Sequence, residues 1–311
     1  MASQIRHKLD FQEYGKQNVR FVRVFKQAGG QQSLVEYTVT VLLSGPRFTA
    51  SYTEADNNDV IATDTVKNII YVVANQSKAL PNAEKFSVEL AEFFLNKYPS
   101  HVQRVNVVVE QQSWDRQSFN GAEHQHAFVG NNGEKHSSQV IATQETPQSP
   151  IKYEITSKLD GLTVLKTTGS SFKHFYADEY RTLPDAEDRI LSTVVTLEWN
   201  YSTFNNSYSV YETPFDEIRA AAKHFALDEF ANKPSPSVQA TLYDTANRII
   251  NKYHPVDKVS ISLPNRHYFA ADLPIFKQLG QDKKVHDLYV PIAHPNGLIK
   301  ATVKRNVAPK L

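Results

Sequence analysis

The segment NKYPSHVQRVNVVV, residues 96–109, has a counterpart in NKYHPVDKVSISL, residues 251–263. Each segment begins with Asn-Lys-Tyr, continues to a proline and ends in alternating apolar residues, which is typical of a strand. The two tripeptides start at Asn96 and Asn251, so they lie about half of the 311 residues apart. This spacing predicts that the chain contains an internal duplication.

The order of predicted elements agrees with a duplication, because each half reads strand, strand, helix, helix, strand, strand. In the first half we predict strands at 18–26 and 36–43, helices from Asp64 and around 86–94, and strands at 105–109 and 126–129. In the second half we predict strands at 162–166 and 190–199, helices from Asp216 and over 238–253, and strands at 259–263 and 298–304. The polar segment between Asn131 and Pro150 is interpreted as a variable strand or loop.

An α+β fold of this kind leaves open sheet edges. About four antiparallel strands in each half, backed by two helices, expose unpaired backbone groups that can pair with another copy of the chain. We therefore expect a symmetric homo-oligomer, with binding sites where subunits meet.

The composition indicates a folded protein without an electrostatic surface for polyanions. Hydrophobic residues make up 41% of the chain, and 34 Lys and Arg balance 33 Asp and Glu. The net charge of +1 disfavours nucleic acid and membranes as partners. The chain has no apolar run of about 20 residues and no signal-like apolar core in MASQIRHKLD, so we expect it to stay inside a cell.

The chain contains no cysteine, which excludes disulfides, thiolate nucleophiles and every metal site that needs a cysteine ligand. His124 and His126 could share one face of a strand and bind a metal. No carboxylate stands at a convincing spacing from them, so we predict no metal site.

The segment IATDTVKN, residues 61–68, marks the start of a helix. Asp64 is a suitable N-cap, because its carboxylate can accept a hydrogen bond from the first helical turn. The other unpaired amides at such a helix start can bind an anion. From this segment alone, a simple helix cap and an anion site both remain open.

Polar residues also follow the strand at 259–263. If this strand continues past Pro264, Asn265 and His267 lie on the same face as its apolar residues. They are then either a buried pair with satisfied hydrogen bonds or part of a functional site.

The chain resembles the urate oxidase (uricase) family in seven ordered blocks between Tyr14 and Arg305. These blocks are YGKQNVR, SYTEADNNDVIATDTVKN, GLTVLKTTGSSF, DRILST, SVQAT, SLPNRHYF and HPNGLIKATVKR. The resemblance implies two tandem ββααββ T-fold domains, at 14–145 and 146–305, followed by a tail at 306–311. It also implies that two chains close a tunnel-shaped barrel and that two barrels form a homotetramer.

The resemblance implies a substrate clamp for urate made of Arg189 and Gln239. A guanidinium fork and a side-chain amide together suit the rim of a flat purine. Phe172 is expected to stack on the ring and Val238 to offer a backbone contact. The amides of Thr63 and Asp64 are expected to come from a neighbouring subunit.

The resemblance also implies a catalytic pair, Lys16 and Thr63, with His267 completing a proton relay. A partly desolvated lysine can act as a base near neutral pH. The expected reaction needs no cofactor or metal. Thr63 and Asn265 are expected to hold dioxygen and then water above the ring, and the products are 5-hydroxyisourate and hydrogen peroxide.

Two other functions compete with urate oxidation. A pterin-acting T-fold enzyme is disfavoured, because the pterin enzymes have a Glu where this chain has Gln239, and the cyclohydrolase needs a Cys/His zinc site. A catalytically inactive purine-binding or structural module is disfavoured by the intact residues Lys16, Thr63, Asn265 and His267.

The last three residues resemble a peroxisomal address. Pro309-Lys310-Leu311 differs from Ser-Lys-Leu at the first position. We expect the peroxisome, with the cytoplasm as the alternative, and microscopy of the fluorescently labelled chain is the test.

Overall fold

The structure is a computed structural model that describes residues 7–280, 288–292 and 294–306. It has a mixed α+β fold with antiparallel strand pairing, as the sequence predicts. Within the described ranges, no helix is long and apolar enough to cross a membrane. The tripeptide Pro309-Lys310-Leu311 lies outside the described residues, so the peroxisomal location stays a prediction.

Nine strands and seven α-helices are found in the described ranges. The strands are β1 (Tyr14–Lys26), β2 (Gln32–Ser44), β3 (Arg104–Phe119), β4 (Ala122–Thr143), β5 (Lys152–Lys166), β6 (Leu191–Tyr201), β7 (Val256–Ala270), β8 (Tyr289–Ile292) and β9 (Leu298–Lys304). The helices are α1 (Thr49–Thr53), α2 (Thr63–Gln76), α3 (Ala83–Lys97), α4 (Ser207–Glu212), α5 (Phe215–Asn232), α6 (Val238–Lys252) and α7 (Pro274–Gln278).

The second helix of each half repeats at the offset of the Asn-Lys-Tyr tripeptides. Helices α3 and α6 both contain 15 residues. Each follows a capping side chain, Asn82 or Ser237, that accepts a hydrogen bond from the third helical N–H. Each ends at the lysine of the tripeptide, and the next residue, Tyr98 or Tyr253, is the C-cap. The predicted order of two helices between strand pairs is therefore confirmed in both halves.

Several strands are longer than apolar alternation predicts. Strand β4 runs from Ala122 to Thr143 rather than over 126–129, so most of the polar segment after Asn131 is strand. Its backbone pairs with β3, for example Asn131 with Ser113. Ladder hydrogen bonds join backbone groups, so an exposed hairpin can extend through polar residues that give no alternating signal.

The chain divides into two compact units. Unit 1 comprises Met1–Lys158 and Trp199–Arg219, and unit 2 comprises Leu159–Glu198 and Ala220–Leu311. In unit 1, β2 lies between β1 and β3, and β3 also pairs with β4. In unit 2, β7 pairs with β8 and β9. The domain boundary between residues 145 and 146 stays a prediction.

Strand β2 supplies the central core of unit 1. Its alternating residues Tyr37, Val39, Val41 and Leu43 are all fully buried, and they lie within the strand predicted at 36–43. Helix α3 packs Phe86 against this face, with its ring centroid 6.1 Å from that of Tyr37. Because burying one such side chain contributes roughly 1.5–3 kcal/mol, this layer fixes α3 on the sheet.

The start of β1 is shaped by a glycine. A Cβ added to Gly15 would lie 1.9 Å from the carbonyl oxygen of Val41 in β2. The pairing with β2 then shifts register between Lys16 and Val19, where Asn18 has a φ of 60°. The close contact and the bulge together set the backbone position of Lys16.

We expect Gly15→Ala to destabilise unit 1. The added methyl group must push β1 away from β2, and overpacking of this kind costs about 1–3 kcal/mol. The measurement is the midpoint of thermal unfolding. Gly130→Ala in β4 is the matched control, because its Cβ would meet Trp114 at 3.7 Å, an ordinary contact. An unchanged midpoint for Gly15→Ala would contradict this account of the β1–β2 contact.

Unit 1 also contains a buried carboxyl group. Glu84 is 2% exposed, and one of its oxygens accepts a hydrogen bond of 2.6 Å from the Ser157 hydroxyl. The other oxygen, Oε2, has no hydrogen-bond partner among the described residues. Burial disfavours the charged form and raises the pKa of Glu84 above its ordinary value of 4.5.

This raised pKa makes the stability of unit 1 dependent on pH. The folded chain retains a proton on Glu84 that the unfolded chain releases, so the contribution is complete below the unfolded pKa and is lost as the pH rises through the folded pKa. We expect Glu84→Gln to reduce the loss of unfolding free energy as the pH rises above 4.5, the ordinary pKa of this carboxyl group. Glu54→Gln, at an exposed position, is the control, and an equal pH slope in wild type and Glu84→Gln would refute the prediction.

Candidate active site

Arg189 and Phe172 lie together in unit 2. The Cζ atom of Arg189 is 5.0 Å from the centroid of the Phe172 ring. The Arg189 Nε is buried without a hydrogen-bond partner, and burial lowers the pKa of its guanidinium. A guanidinium still remains charged in proteins. The pair therefore places a cation over an aromatic ring.

Phe172 also has an aromatic neighbour. Its ring stacks on that of Phe175, with centroids 4.7 Å apart and 12° between the planes. The backbone of Phe172 exchanges two hydrogen bonds of 2.9 Å with Ala186. Phe172 is therefore held in place by its backbone and by one face of its ring.

Backbone hydrogen bonds connect these residues to the start of α6. The Arg189 N–H donates to the Ser170 carbonyl at 2.8 Å, and the Ser171 N–H donates to the Ser235 carbonyl at 3.0 Å. Ser235 is two residues before the N-cap of α6, whose first residues are Val238, which is buried, and Gln239, which is exposed. Four predicted substrate-binding residues thus lie on connected segments of unit 2.

Asn265 and His267 lie further along unit 2 on β7. The strand continues through Pro264 and so is longer than the predicted 259–263, and both residues are half-buried while Arg266 between them is exposed. The Asn265 N–H donates to the Gly297 carbonyl at 2.8 Å. His267 lines a cavity of about 510 Å³. The side chain of His267 can therefore meet a ligand or water in that cavity.

The remaining predicted residues belong to unit 1. Helix α2 begins at Thr63, its N-cap is Ala62, and no side chain caps it. The prediction that Asp64 is the N-cap is therefore wrong. Asp64 is the second helical residue, and its carboxylate accepts hydrogen bonds from Lys67 and Asn68. An acidic residue in the first turn turns to such partners when they lie three and four positions ahead on the same face.

The absence of a capping side chain leaves the first amides of α2 available for another acceptor. Thr63 and Asp64 are both exposed at this helix start. The pKa of Asp64 is lowered, chiefly by its hydrogen bond with Lys67, and the charge of Lys16 also contributes. Lys16 therefore lies close enough to act electrostatically on this helix start.

A tyrosine ties β1 to the segment before α2. The Ile61 N–H donates to the Tyr14 hydroxyl at 2.8 Å, and the Tyr14 ring packs edge-on against Phe48 with centroids 4.9 Å apart. Burial raises the pKa of Tyr14 to about 12, so its hydroxyl stays protonated at neutral pH. Tyr14 holds the strand that carries Lys16 against the segment that leads to Thr63.

Comparison with known proteins identifies the family. The model of the family described as Uricase matches residues 12–141 and 155–300. This chain belongs to the uricase family. It is 41% identical over 302 residues to a uricase of Emericella nidulans, covering 96% of this chain and 97% of that protein. It is 40% identical over 296 residues to a uricase of Aspergillus flavus, covering 94% and 95%.

Solved uricase structures have the same fold. The crystal structure of uricase from Arthrobacter globiformis matches with a TM-score of 0.84 and 32% identity, covering 98% of this chain and 97% of that chain. Urate oxidase from Bacillus sp. TB-90 matches with a TM-score of 0.78 over 94% of this chain and 100% of that chain. At 23% identity, the second match speaks for the fold alone.

The histidine pair outside these clusters gives no sign of a metal site. The rings of His124 and His126 lie 4.7 Å apart, and His124 Nδ1 accepts hydrogen bonds from the N–H groups of His126 and Ala127. No cluster of three or more possible metal-ligating side chains is found in the part of the uricase chain that the structure describes.

Three residues that hold the segments next to the predicted site residues were not predicted from the sequence. They are Tyr14, Lys166 and Asp188. Each stands within a block that resembles uricases, and Asp188 directly precedes Arg189. Their position within these blocks was the only signal in the sequence. Their hydrogen-bond partners are distant in sequence, so only the structure could show them.

Proposed function

We propose that this protein oxidises urate with dioxygen and water to 5-hydroxyisourate and hydrogen peroxide. The reaction balances, because urate gains one hydroxyl oxygen and loses two electrons while dioxygen gains two electrons and two protons. Membership of the uricase family supports the substrate and the reaction class. We further propose that the reaction proceeds without a cofactor.

The observation that carries the proposal is the unpartnered guanidinium of Arg189 beside Phe172. A half-buried cation without a carboxylate favours an anion that can replace the lost hydration. Its planar fork suits two acceptors on the rim of a flat ring. Urate carries one negative charge at neutral pH and is planar, so it meets both requirements.

The start of α6 supplies the second side of the clamp. Gln239 offers a donor and an acceptor in one plane, which can read the opposite rim of the purine. Val238 offers its backbone beside it. We propose that the urate ring stacks against Phe172 while these groups hold its edges.

The proton and oxygen chemistry falls to the polar residues outside the clamp. We propose that Lys16 and Thr63 remove a proton from the bound urate monoanion and that His267 relays protons. The resulting dianion is electron-rich enough to transfer electrons to dioxygen. The amide of Asn265 and the hydroxyl of Thr63 hold dioxygen first and the attacking water afterwards, because both can donate hydrogen bonds to a developing oxyanion.

We propose that each active site uses residues of two chains in a homotetramer. The exposed apolar side chains of Val22 and Val24 on the edge strand β1 support an association of copies through open edges. In this arrangement, Thr63, Asp64 and Lys16 of one subunit face the clamp of another. Pairing of open edges would close the sheets into the predicted barrel.

In air-saturated buffer, we expect the ultraviolet band of urate to disappear, with one peroxide released per urate. A chelator should leave the rate unchanged. Lys16→Met should lower kcat by about 100-fold or more, because loss of a general base costs that much. Lys26→Met, an exposed position at the end of the same strand, is the matched control. No loss of urate, or a reaction that chelation abolishes, would refute the proposed function.

A mixture of Thr63→Ala and Arg189→Ala chains tests the shared site. Each variant alone should be nearly inactive. When tetramers form from equal amounts of both chains, about a quarter of the sites combine an intact Thr63 with an intact Arg189, so activity should return. Mixed tetramers that assemble and stay inactive would show that one chain supplies both residues.

A further inference from the structure

We propose that Lys166 and Asp188 are positioning residues that fix the distance between the two sides of the urate clamp. The proposal rests on the proposed function and deepens it. One side of the clamp carries Phe172 and Arg189, and the other carries Gln239. Neither Lys166 nor Asp188 is a predicted substrate-binding residue. Both form hydrogen bonds with backbone segments that carry such residues or lie next to them.

Asp188 holds the first side. Its carboxylate accepts hydrogen bonds from the Gly169 N–H at 2.8 Å, from the Ser170 N–H at 3.3 Å and from the Thr168 hydroxyl at 2.5 Å. The Arg189 N–H then donates to the Ser170 carbonyl. The turn at residues 168–170 therefore donates hydrogen bonds to Asp188 and accepts one from the Arg189 N–H.

Lys166 holds the second side. Its ammonium group donates to the Ser235 hydroxyl at 2.8 Å and to the Lys233 carbonyl at 3.0 Å. Ser235 is 1% exposed, and its hydroxyl lies 2.9 Å from that of Thr241 on α6. Lys166 thereby fixes the segment that enters α6 at Val238 and Gln239.

The two sides are joined to each other through Ser235. Its N–H donates to the Gly169 carbonyl at 2.9 Å, and its carbonyl accepts from the Ser171 N–H at 3.0 Å. Burial lowers the pKa of Lys166, and the negative charge of Asp188 offsets part of this effect. The opposite charges of the two residues therefore interact. The two charged residues thus brace a single backbone contact from its two ends.

The arrangement also keeps Arg189 available for a ligand. A carboxylate adjacent to an arginine in sequence could neutralise it, but the Asp188 oxygens are used by three donors of the 168–170 turn. Among the described residues, Arg189 forms no ion pair. Asp188 therefore organises the clamp without competing with an anionic ligand for Arg189.

A neighbouring ion pair provides a matched control. Lys173 and Glu187 join the same two stretches of chain through their side chains, with Nζ and Oε2 2.6 Å apart and the Glu187 side chain 80% exposed. Exposed pairs of this kind contribute little to a fixed geometry. Asp188 is also exposed, but its carboxylate accepts hydrogen bonds from two backbone N–H groups of the 168–170 turn. Glu187→Ala thus removes a carboxylate one residue away from Asp188 without touching the 168–170 turn.

The test measures urate binding under argon, where turnover cannot occur, and urate oxidation in air. Lys166→Met and Asp188→Ala should each raise the Kd of urate about tenfold or more, with a smaller change in kcat. Asp188→Asn retains an acceptor for the two N–H groups and should stay within about threefold of wild type, as should Glu187→Ala. The double variant should be about as impaired as either single variant, because both remove the same brace.

The outcomes separate the positioning role from simpler ones. A merely structural role would lower the midpoint of thermal unfolding and the number of binding sites while leaving the Kd of the surviving sites unchanged. That result, or folded variants with wild-type Kd, would overturn the proposal. If the wild-type chain itself binds no urate under argon, the proposed function fails instead, and the comparison between variants does not arise.

Discussion

A half-buried arginine without a carboxylate is the constraint on which the candidate site depends. The Arg189 guanidinium has lost part of its hydration, and its buried Nε receives nothing in return from the described residues. Burying such a group without a partner lowers the stability of the folded state, so neighbouring groups have to hold it in place. Here the holding groups are backbone hydrogen bonds at Ser170 and the aromatic ring of Phe172. An unpaired, partly buried charge is typical of sites that bind a ligand of opposite charge.

The helices that correspond to one another in the predicted repeat do not all begin in the same way. Helices α3 and α6 retain the same length and the same type of capping side chain, whereas α2 begins without a side-chain cap. In the other half, α5 follows Pro214 and carries Asp216 and Glu217 in its first turn. Helix α2 likewise carries an acidic residue, Asp64, in its first turn, but no side chain caps it and its first two residues are exposed. This uncapped start is where we propose that a ligand meets α2.

The sequence predicted those features that depend on short-range periodicity. The strand predicted at 36–43 lies within β2, whose alternating residues from Tyr37 to Leu43 are buried, and the repeated tripeptides located the ends of α3 and α6. The N-cap of α2 was misplaced by two residues, at Asp64 rather than Ala62, because Asp64 has two side-chain partners on its own helix that compete with capping. The long hairpin of β3 and β4 was underestimated, since its outer pairs are polar and rest on backbone bonds.

The support of the site could not be predicted for a different reason. Lys166 reaches Ser235 across 69 positions, and Asp188 reaches Gly169 across 19, so no local pattern links the partners. Most hydrogen bonds between these segments join backbone groups, which do not depend on the side chain and so leave no pattern in the sequence. We expect the proposed clamp to hold its shape before a ligand arrives, because its geometry depends on closed hydrogen bonds within the chain and not on contacts with the ligand. Binding energy from the rim of a planar ligand can then serve to orient it for reaction, since little of it is needed to order the clamp.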